Sequence, residues 1–448
     1  MLEKTLKAHA ASIGIADMES GMEDLPIYAL ADKEGIELAG LVMDASNGGV
    51  LAMVGGRNFK ENQFNHATQG KRQVGSSVKP LYYTYALDNG FSPASKIDTP
   101  PLVIGDWRPE NYSKEFTGQT TLRNSLVHSY NISSIQLFQA LGASNVAKVF
   151  ASLGLNWPVE DLSVALGSGE ATLLQMVSAY SPFAREGNRV LPRYIDRIED
   201  SKGKVILDAS SPKLLLLNSR VNANAIHAKT KNLEKDSNVN SKKQAAKSLN
   251  KPNSSSKIYS SEAAYVGMRL MRDVIQFGTG TAAAGVSGGA GKTGTTNRYS
   301  DAWFLGVAPG LVGGVWMGFD DPKKSLGAGQ GTGGKMAAPL WKELMLLAQK
   351  VVQNKKWTEP PNISYAKINP ETGALSLDGG GVIVPLVPGT EPSSPTLRHV
   401  LGFSAFDALM SSSLGGQKIS GDKTGEDSSK KPESVTPSDD TGSLRGLF

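Results

Sequence analysis

Strand-forming runs stand at both ends of the sequence's ordered span, and helix-forming runs fill the space between them. Leu38–Asp44 and Gly49–Val54 are short apolar runs joined by Ala45-Ser46-Asn47-Gly48, whose Asn-Gly step signals a hairpin. Ala302–Val307 and Gly314–Phe319 have the same strand-like character late in the chain. Apolar residues recur at helical spacing from Ser76 to Asp88, Leu122 to Leu141, Ala143 to Leu153, Leu173 to Phe183, Ser261 to Phe277 and Ala337 to Val352. Gly142 breaks the second run from the third, and Val190–Leu207 reads as strands flanking Ser201-Lys202-Gly203. Helices sandwiching an antiparallel sheet, with strands early and late, make an α+β layout.

The remaining segments divide the chain. Residues 1–35 read as an approach segment, 36–355 as the main folded unit, 356–410 as a Pro-rich extension and 411–448 as a disordered tail. Residues 220–258 are rich in Asn, Lys and Ser, and read as a low-complexity insertion. With 40% hydrophobic residues the chain can bury a sizeable core. Lys and Arg number 47 against 42 acids, a net charge of +5 that suits an anionic polymer or a membrane neighbourhood. No compact basic and aromatic stripe points to nucleic acid. The absence of Cys excludes a thiol nucleophile, a Cys-ligated metal and disulfides. His9, His66, His128, His227 and His399 lack metal-ligand spacing, so no metal or cofactor is expected. No apolar run reaches 18 residues, and the first residues do not form a signal peptide.

Chemistry concentrates around Gln73-Val74-Gly75-Ser76-Ser77-Val78-Lys79-Pro80. A Ser hydroxyl needs a base before it becomes a nucleophile. Three positions apart on a helix, Ser76 and Lys79 share a face. Pro80 is tolerated only in a first turn, which places the helix start, with its positive dipole end, near Ser76. Ser-x-x-Lys also occurs at Ser201, Ser210, Ser254 and Ser428, but in polar stretches that read as solvated loops. What distinguishes Ser76 is its company. Ser129-Tyr130-Asn131, within a helical stretch, offers a second hydroxyl and an amide. Lys292-Thr293-Gly294-Thr295, before the first late strand, offers a cation and hydroxyl for a carboxylate and a glycine where backbone can lie close. The N–H groups of Ser76 and Thr295 are candidates for an oxyanion hole. Ser248-Leu249-Asn250 and Lys423-Thr424-Gly425 repeat two of the patterns where rigidity is not expected.

Ser-x-x-Lys, Ser-x-Asn and Lys-Thr-Gly in this order occur together in penicillin-binding proteins and class A β-lactamases. With Gly55–Phe59, Phe64–Ala67, Arg72–Pro80, Gly278–Ala282, Asp301–Phe304 and Trp316–Asp321, the span from about residue 36 to 350 resembles the transpeptidase domain of class A penicillin-binding proteins. Gly389-Thr390-Glu391-Pro392 resembles a segment that follows that domain. The resemblance implies the penicillin-binding transpeptidase fold and attack by Ser76 on a D-Ala-D-Ala bond. Lys79 would be the base, Ser129 the proton relay and Asn131 the holder of a substrate amide, while Lys292 and Thr293 would bind the terminal carboxylate. It also implies peptidoglycan stem peptides as substrates, β-lactams as inhibitors, an extracytoplasmic location, and a separate glycosyltransferase or membrane-anchored cell-wall protein as a candidate partner. The family's glycosyltransferase domain is not seen in this sequence, so glycan polymerisation is not expected of it. Two departures concern rate and preference: Tyr130 is a bulky middle residue, and Val74 stands where Pro is expected.

Rival readings are weaker. Gly291-Lys292-Thr293 resembles the end of a P-loop, but Val286 occupies the required glycine position and a strand pattern follows. Gly285–Gly289 matches a nucleophile elbow without the strand and helix that should flank it. Gly329–Gly334 satisfies GxGxxG without a βαβ frame. His128 reads as a helix residue facing away from Ser129, and Trp303, Phe304, Trp316 and Phe319 as core strand residues. Two functional alternatives remain: a D,D-carboxypeptidase or β-lactamase-like hydrolase, and a non-catalytic β-lactam-binding or scaffolding domain. A β-lactamase needs a further base, and neither Glu170 nor a neighbouring acid is marked as one.

Overall fold

A computed structural model of the chain describes residues 35–112, 118–158, 161–208, 257–352, 355–376 and 380–392. Nearly all of the expected approach segment and of the expected insertion, and the whole expected tail, lie outside the described residues. Five strands form the central sheet: β1 (Ile36–Asp44), β2 (Val50–Val54), β3 (Ala290–Thr295), β4 (Asp301–Ala308) and β5 (Leu311–Phe319). Their order is β2-β1-β5-β4-β3, antiparallel throughout. Early and late parts of the chain meet where β1 pairs β5, with Ile36 opposite Phe319 and Asp44 opposite Leu311.

Side chains alternate between the faces of a strand, and here both faces are covered. Trp303, Leu305 and Val307 point into the larger core, shared with α1 (Lys79–Asp88), α2 (Leu122–Val127), α3 (Asn131–Leu141), α4 (Ala143–Ser152), α5 (Leu173–Tyr180) and α6 (Ser261–Phe277). Ala302, Phe304 and Ala308 point the other way, against Trp341 and Met345 of α7 (Ala338–Val351). The expected helix–sheet–helix sandwich is the observed architecture. The strand residues Trp303, Phe304 and Trp316 are buried core.

Four local expectations need correction. The single helix expected from Leu122 to Leu141 is two, because Ser129 adopts a left-handed backbone (φ 59°) that no helix can continue through. His128 is therefore the residue that ends α2 rather than a mid-helix residue; its ring stacks on Tyr130, 5.5 Å between centroids. The Lys-Thr-Gly stretch, expected before the first late strand, is itself the edge strand β3. Finally, α5 ends at Tyr180, and a 3-10 turn containing Pro182, which has no N–H to donate, takes over.

The Pro-rich extension also carries order. β6 (Ser364–Ile368) and β7 (Val382–Leu386) pair antiparallel, and Ile368, Val384 and Leu386 form a small core with Ala94. Thr121 Oγ1 donates to Pro370 O (2.7 Å) and Asn124 Nδ2 to Glu371 Oε1 (3.0 Å), tying this hairpin's loop to the start of α2.

Candidate active site

Ser76 sits in a 3-10 turn, Gly75–Val78, that leads directly into α1 with Pro80 in its first turn. The helix start expected near Ser76 is there in this two-part form. Backbone N–H groups in a first turn have no carbonyl of their own helix to reach, and Ser76 stands in that first turn. The turn is held from outside: Tyr180 Oη donates to Ser77 O (2.5 Å) and Gly75 N–H to Gly167 O (3.0 Å). Gly75 itself has φ +53°, and a Cβ there would lie 2.6 Å from Thr295 O. Only glycine lets this turn press against β3.

The edge position of β3 determines what it offers. Thr296 N–H donates to Asp301 O (3.2 Å), so in the β3–β4 register Lys292 and Gly294 spend their backbone groups on β4. Thr293 and Thr295 lie between these hydrogen-bonded pairs and turn their N–H and C=O outward, toward the Ser76 turn. Gly294 is a second site of close approach, since a Cβ there would be 2.6 Å from Val74 O. A P-loop lysine follows a phosphate-cradling loop and starts a helix; Lys292 is mid-strand, which removes that rival reading.

Lys79 and Lys292 are both fully buried and meet at Ser129. Lys79 Nζ donates to Ser129 O (2.9 Å), Asn131 Oδ1 (2.9 Å), Tyr130 O (3.2 Å) and Ser129 Oγ (3.4 Å). Lys292 Nζ donates to Ser129 Oγ (2.9 Å), Thr293 O (3.1 Å) and Thr293 Oγ1 (3.3 Å). None of these acceptors is a carboxylate. Burial, and after it the charge of Lys292, lowers the Lys79 pKa well below the ordinary lysine value. Burial brings Lys292 down from 10.5 to about 7. At about 1.4 kcal/mol per tenfold change in proton affinity, that is roughly 5 kcal/mol in favour of the neutral amine. The site thus holds two buried amines whose neutral forms are favoured, with no carboxylate among their hydrogen-bond partners.

The left-handed turn at Ser129 is what exposes its hydroxyl to both lysines. A buried hydroxyl network fixes that turn: Tyr83 Oη bonds Ser125 Oγ (2.5 Å) and Ser134 Oγ (2.8 Å), and Ser134 Oγ donates to Tyr130 O (2.5 Å). Burial pushes the Tyr83 phenol up to about 12, so it stays a proton donor. Asn131 is oriented by Asn111, whose Oδ1 accepts from Asn131 N–H (2.8 Å), and by Glu110 O, which accepts from Nδ2 (2.8 Å). One Nδ2 hydrogen remains for a ligand. Thr293 Oγ1 also pairs with Thr279 Oγ1 (2.7 Å).

Of the residues expected at the site, Lys79, Ser129, Asn131, Lys292 and Thr293 are joined by direct hydrogen bonds, and the turn that carries Ser76 is brought against β3 where Gly75 meets Thr295 and Val74 meets Gly294. Thr279 falls in the Gly278–Ala282 stretch singled out from the sequence, there without a role; sequence reasoning missed Tyr180, Asn111 and the Tyr83 network. A lone Asn in a loop or Tyr on a helix carries no pattern, and no local signal could have found them.

An antiparallel sheet wrapped by helices, with Ser-x-x-Lys at a helix start, Ser-x-Asn at a helix break and Lys-Thr-Gly on the edge strand, defines the penicillin-binding transpeptidase class. Residues 38–346 match the family described as the penicillin binding protein transpeptidase domain, and the chain belongs to that family. It is 35% identical to penicillin-binding protein 1A of Pseudomonas aeruginosa over 356 residues, 75% of this chain and 43% of the relative. It is 34% identical to the protein of the same name from Vibrio cholerae, covering 83% of this chain and 47% of that one. The chain thus spans about half the length of these curated relatives, or less. Among solved structures, penicillin-binding protein 1A from Haemophilus influenzae superposes with a TM-score of 0.66 at 29% identity, covering 82% of this chain and 55% of that one. PonA1 from Mycobacterium tuberculosis in complex with penicillin V shares the fold at TM-score 0.57 and 21% identity, over 79% of this chain and 87% of that one.

Proposed function

We propose that this protein is a serine D,D-transpeptidase that cross-links peptidoglycan stem peptides and is inhibited by β-lactams. The observation that carries the reading is the Ser129 hydroxyl held between two buried lysines with no carboxylate among their partners. Such a site suits an anionic substrate and proton transfer at neutral pH. Neutral Lys79 takes the Ser76 proton as Oγ attacks the penultimate D-Ala carbonyl. The N–H groups of Ser76 and Thr295 receive the oxyanion, and Gly294 keeps the strand backbone open to the substrate. Ser129 passes the proton to the departing amine, so the C–N bond breaks and D-Ala leaves with its terminal carboxylate released from Lys292 and Thr293. Asn131 holds the substrate amide meanwhile. An amine of a neighbouring stem then attacks the ester, and Ser76 is regenerated. Among the described residues no helix is long and apolar enough to cross a membrane. The reaction calls for nascent glycan on the outer face of the cytoplasmic membrane, supplied by a glycosyltransferase as partner.

The test is labelling with a fluorescent penicillin, read by gel and intact mass, with Ser76→Ala alongside. A long-lived adduct on the parent, absent from the variant, supports the reading. A fast-decaying adduct points to a hydrolase instead, and no adduct on the folded protein points to a scaffold.

A further inference from the structure

The family match ends at residue 346, yet the chain beyond it reaches the scaffold of the site. Between β6 and β7, Asn369 Oδ1 accepts from the N–H groups of Glu371 (2.9 Å) and Thr372 (3.1 Å). Gly373 N–H returns to Asn369 O (2.9 Å), which closes the turn. The turn is pressed against the body of the protein, since a Cβ on Gly373 would collide with Ala94 O.

Its other neighbour is the start of α2. Thr121, the N-cap, accepts from Asn124 N–H (3.1 Å) and donates its own hydroxyl to Pro370 O (2.7 Å). Asn124 is buried; its Oδ1 accepts from Arg123 Nη1 (3.1 Å), and its Nδ2 donates to Glu371 Oε1 (3.0 Å). Removing that acceptor would leave a buried donor to find another partner, and the helix would have to move to do so. One turn further on, Asn124 O accepts from His128 N–H (2.9 Å), and Ser129 comes next.

α2 has only six residues, roughly 9 Å of helix, so a shift at its start carries through to Ser129. Its apolar side chains are buried, but apolar packing has no direction. The polar ties at its start set its height and roll. Little play is allowed at the far end, where Lys79 Nζ is already 3.4 Å from Ser129 Oγ. The Glu371 charge also reaches the residue beside Ser129: burial lowers the His128 pKa, the Glu371 carboxylate opposes this, and Arg123, itself paired with Asp273, adds to it.

Resting on the transpeptidase reading, we infer that Glu371 is a positioning residue for acylation: by holding Asn124 it sets the place of the Ser129 hydroxyl between the two lysines. The turn between β6 and β7 thereby becomes part of the working site.

The experiment follows acylation of the full chain by a fluorescent penicillin in stopped flow, over a range of penicillin concentrations. The limiting first-order rate reports the geometry of the site, and the amplitude reports the fraction of folded protein. Glu371→Ala should lower the limiting rate by about tenfold, the scale of one hydrogen bond to a charged group. The amplitude and the half-saturating concentration should stay close to those of the parent. Glu371→Gln keeps an oxygen in the same place and should restore most of the rate. Gly373→Ala, which lifts the turn from Ala94, should slow the same step. A parental rate in Glu371→Ala, or a loss of amplitude alone, overturns the inference. So does slowing in Glu371→Gln equal to that in Glu371→Ala. No acylation of the folded parent overturns the transpeptidase reading instead, and this inference falls with it.

Discussion

Lys79 and Lys292 reach one hydroxyl from two walls of the cleft that are built on different principles. Lys79 belongs to the wall made from interrupted helices, where a 3-10 turn at Ser76 and a left-handed residue at Ser129 place reactive groups at element ends. Lys292 belongs to an edge strand, where ladder alternation turns the backbone groups of Thr293 and Thr295 away from β4. The helical wall needs outside supports, Tyr180 on Ser77 and Tyr83 on Ser125 and Ser134, while the strand wall needs only its register. The two amines differ accordingly. Lys79 is enclosed by four acceptors from the Ser129–Asn131 turn, whereas Lys292 leans on its own neighbour Thr293 and on Ser129. In the proposed mechanism one wall removes the proton and the other binds charge.

Lys79→Arg attacks the comparison most directly. A guanidinium keeps its charge but cannot give up its proton, so acylation by fluorescent penicillin should fall by about a thousandfold, the scale of a lost general base. Near-normal labelling would show that proton removal does not belong to the helical wall. Gly75→Ala tests the contact between the walls. Its Cβ would meet Thr295 O at 2.6 Å from a backbone already at φ +53°. A loss of about 1–3 kcal/mol in stability is expected from such a conformation, with a clear fall in acylation rate. Acylation that survives alongside lowered stability would mean the walls need not touch.

Lys292 gives a pH test. Its folded pKa of about 7 lies below the ordinary 10.5, so between these values the unfolded chain binds more protons than the folded one. Stability should therefore rise with pH across that window and fall as pH drops toward 7. In thermal melts this rise should be smaller for Lys292→Met than for the parent, and an identical rise would show that Lys292 stays charged when buried. The smallest effect on chemistry is expected from Thr172→Ala. Thr172 Oγ1 accepts from Gln175 N–H (3.2 Å) in a capping box at the start of α5, away from both lysines. About 1 kcal/mol of stability should be lost, with the penicillin acylation rate unaltered.

The sequence by itself determined a good deal: early and late strands, the break at Gly142, α6 from Ser261 to Phe277, and the start of α1 near Ser76 through Pro80. It also set Ser76 and Lys79 three positions apart at that start, because such spacing is a local matter. The tertiary structure alone decided that the Ser129 stretch is a break rather than a helix, and that Lys-Thr-Gly is an edge strand. It alone set the meeting of Lys292 with Ser129 across 163 positions. Apolar periodicity records which face of an element is buried. It does not record which buried hydroxyl or amine will find another, since that depends on how elements far apart in sequence pack together.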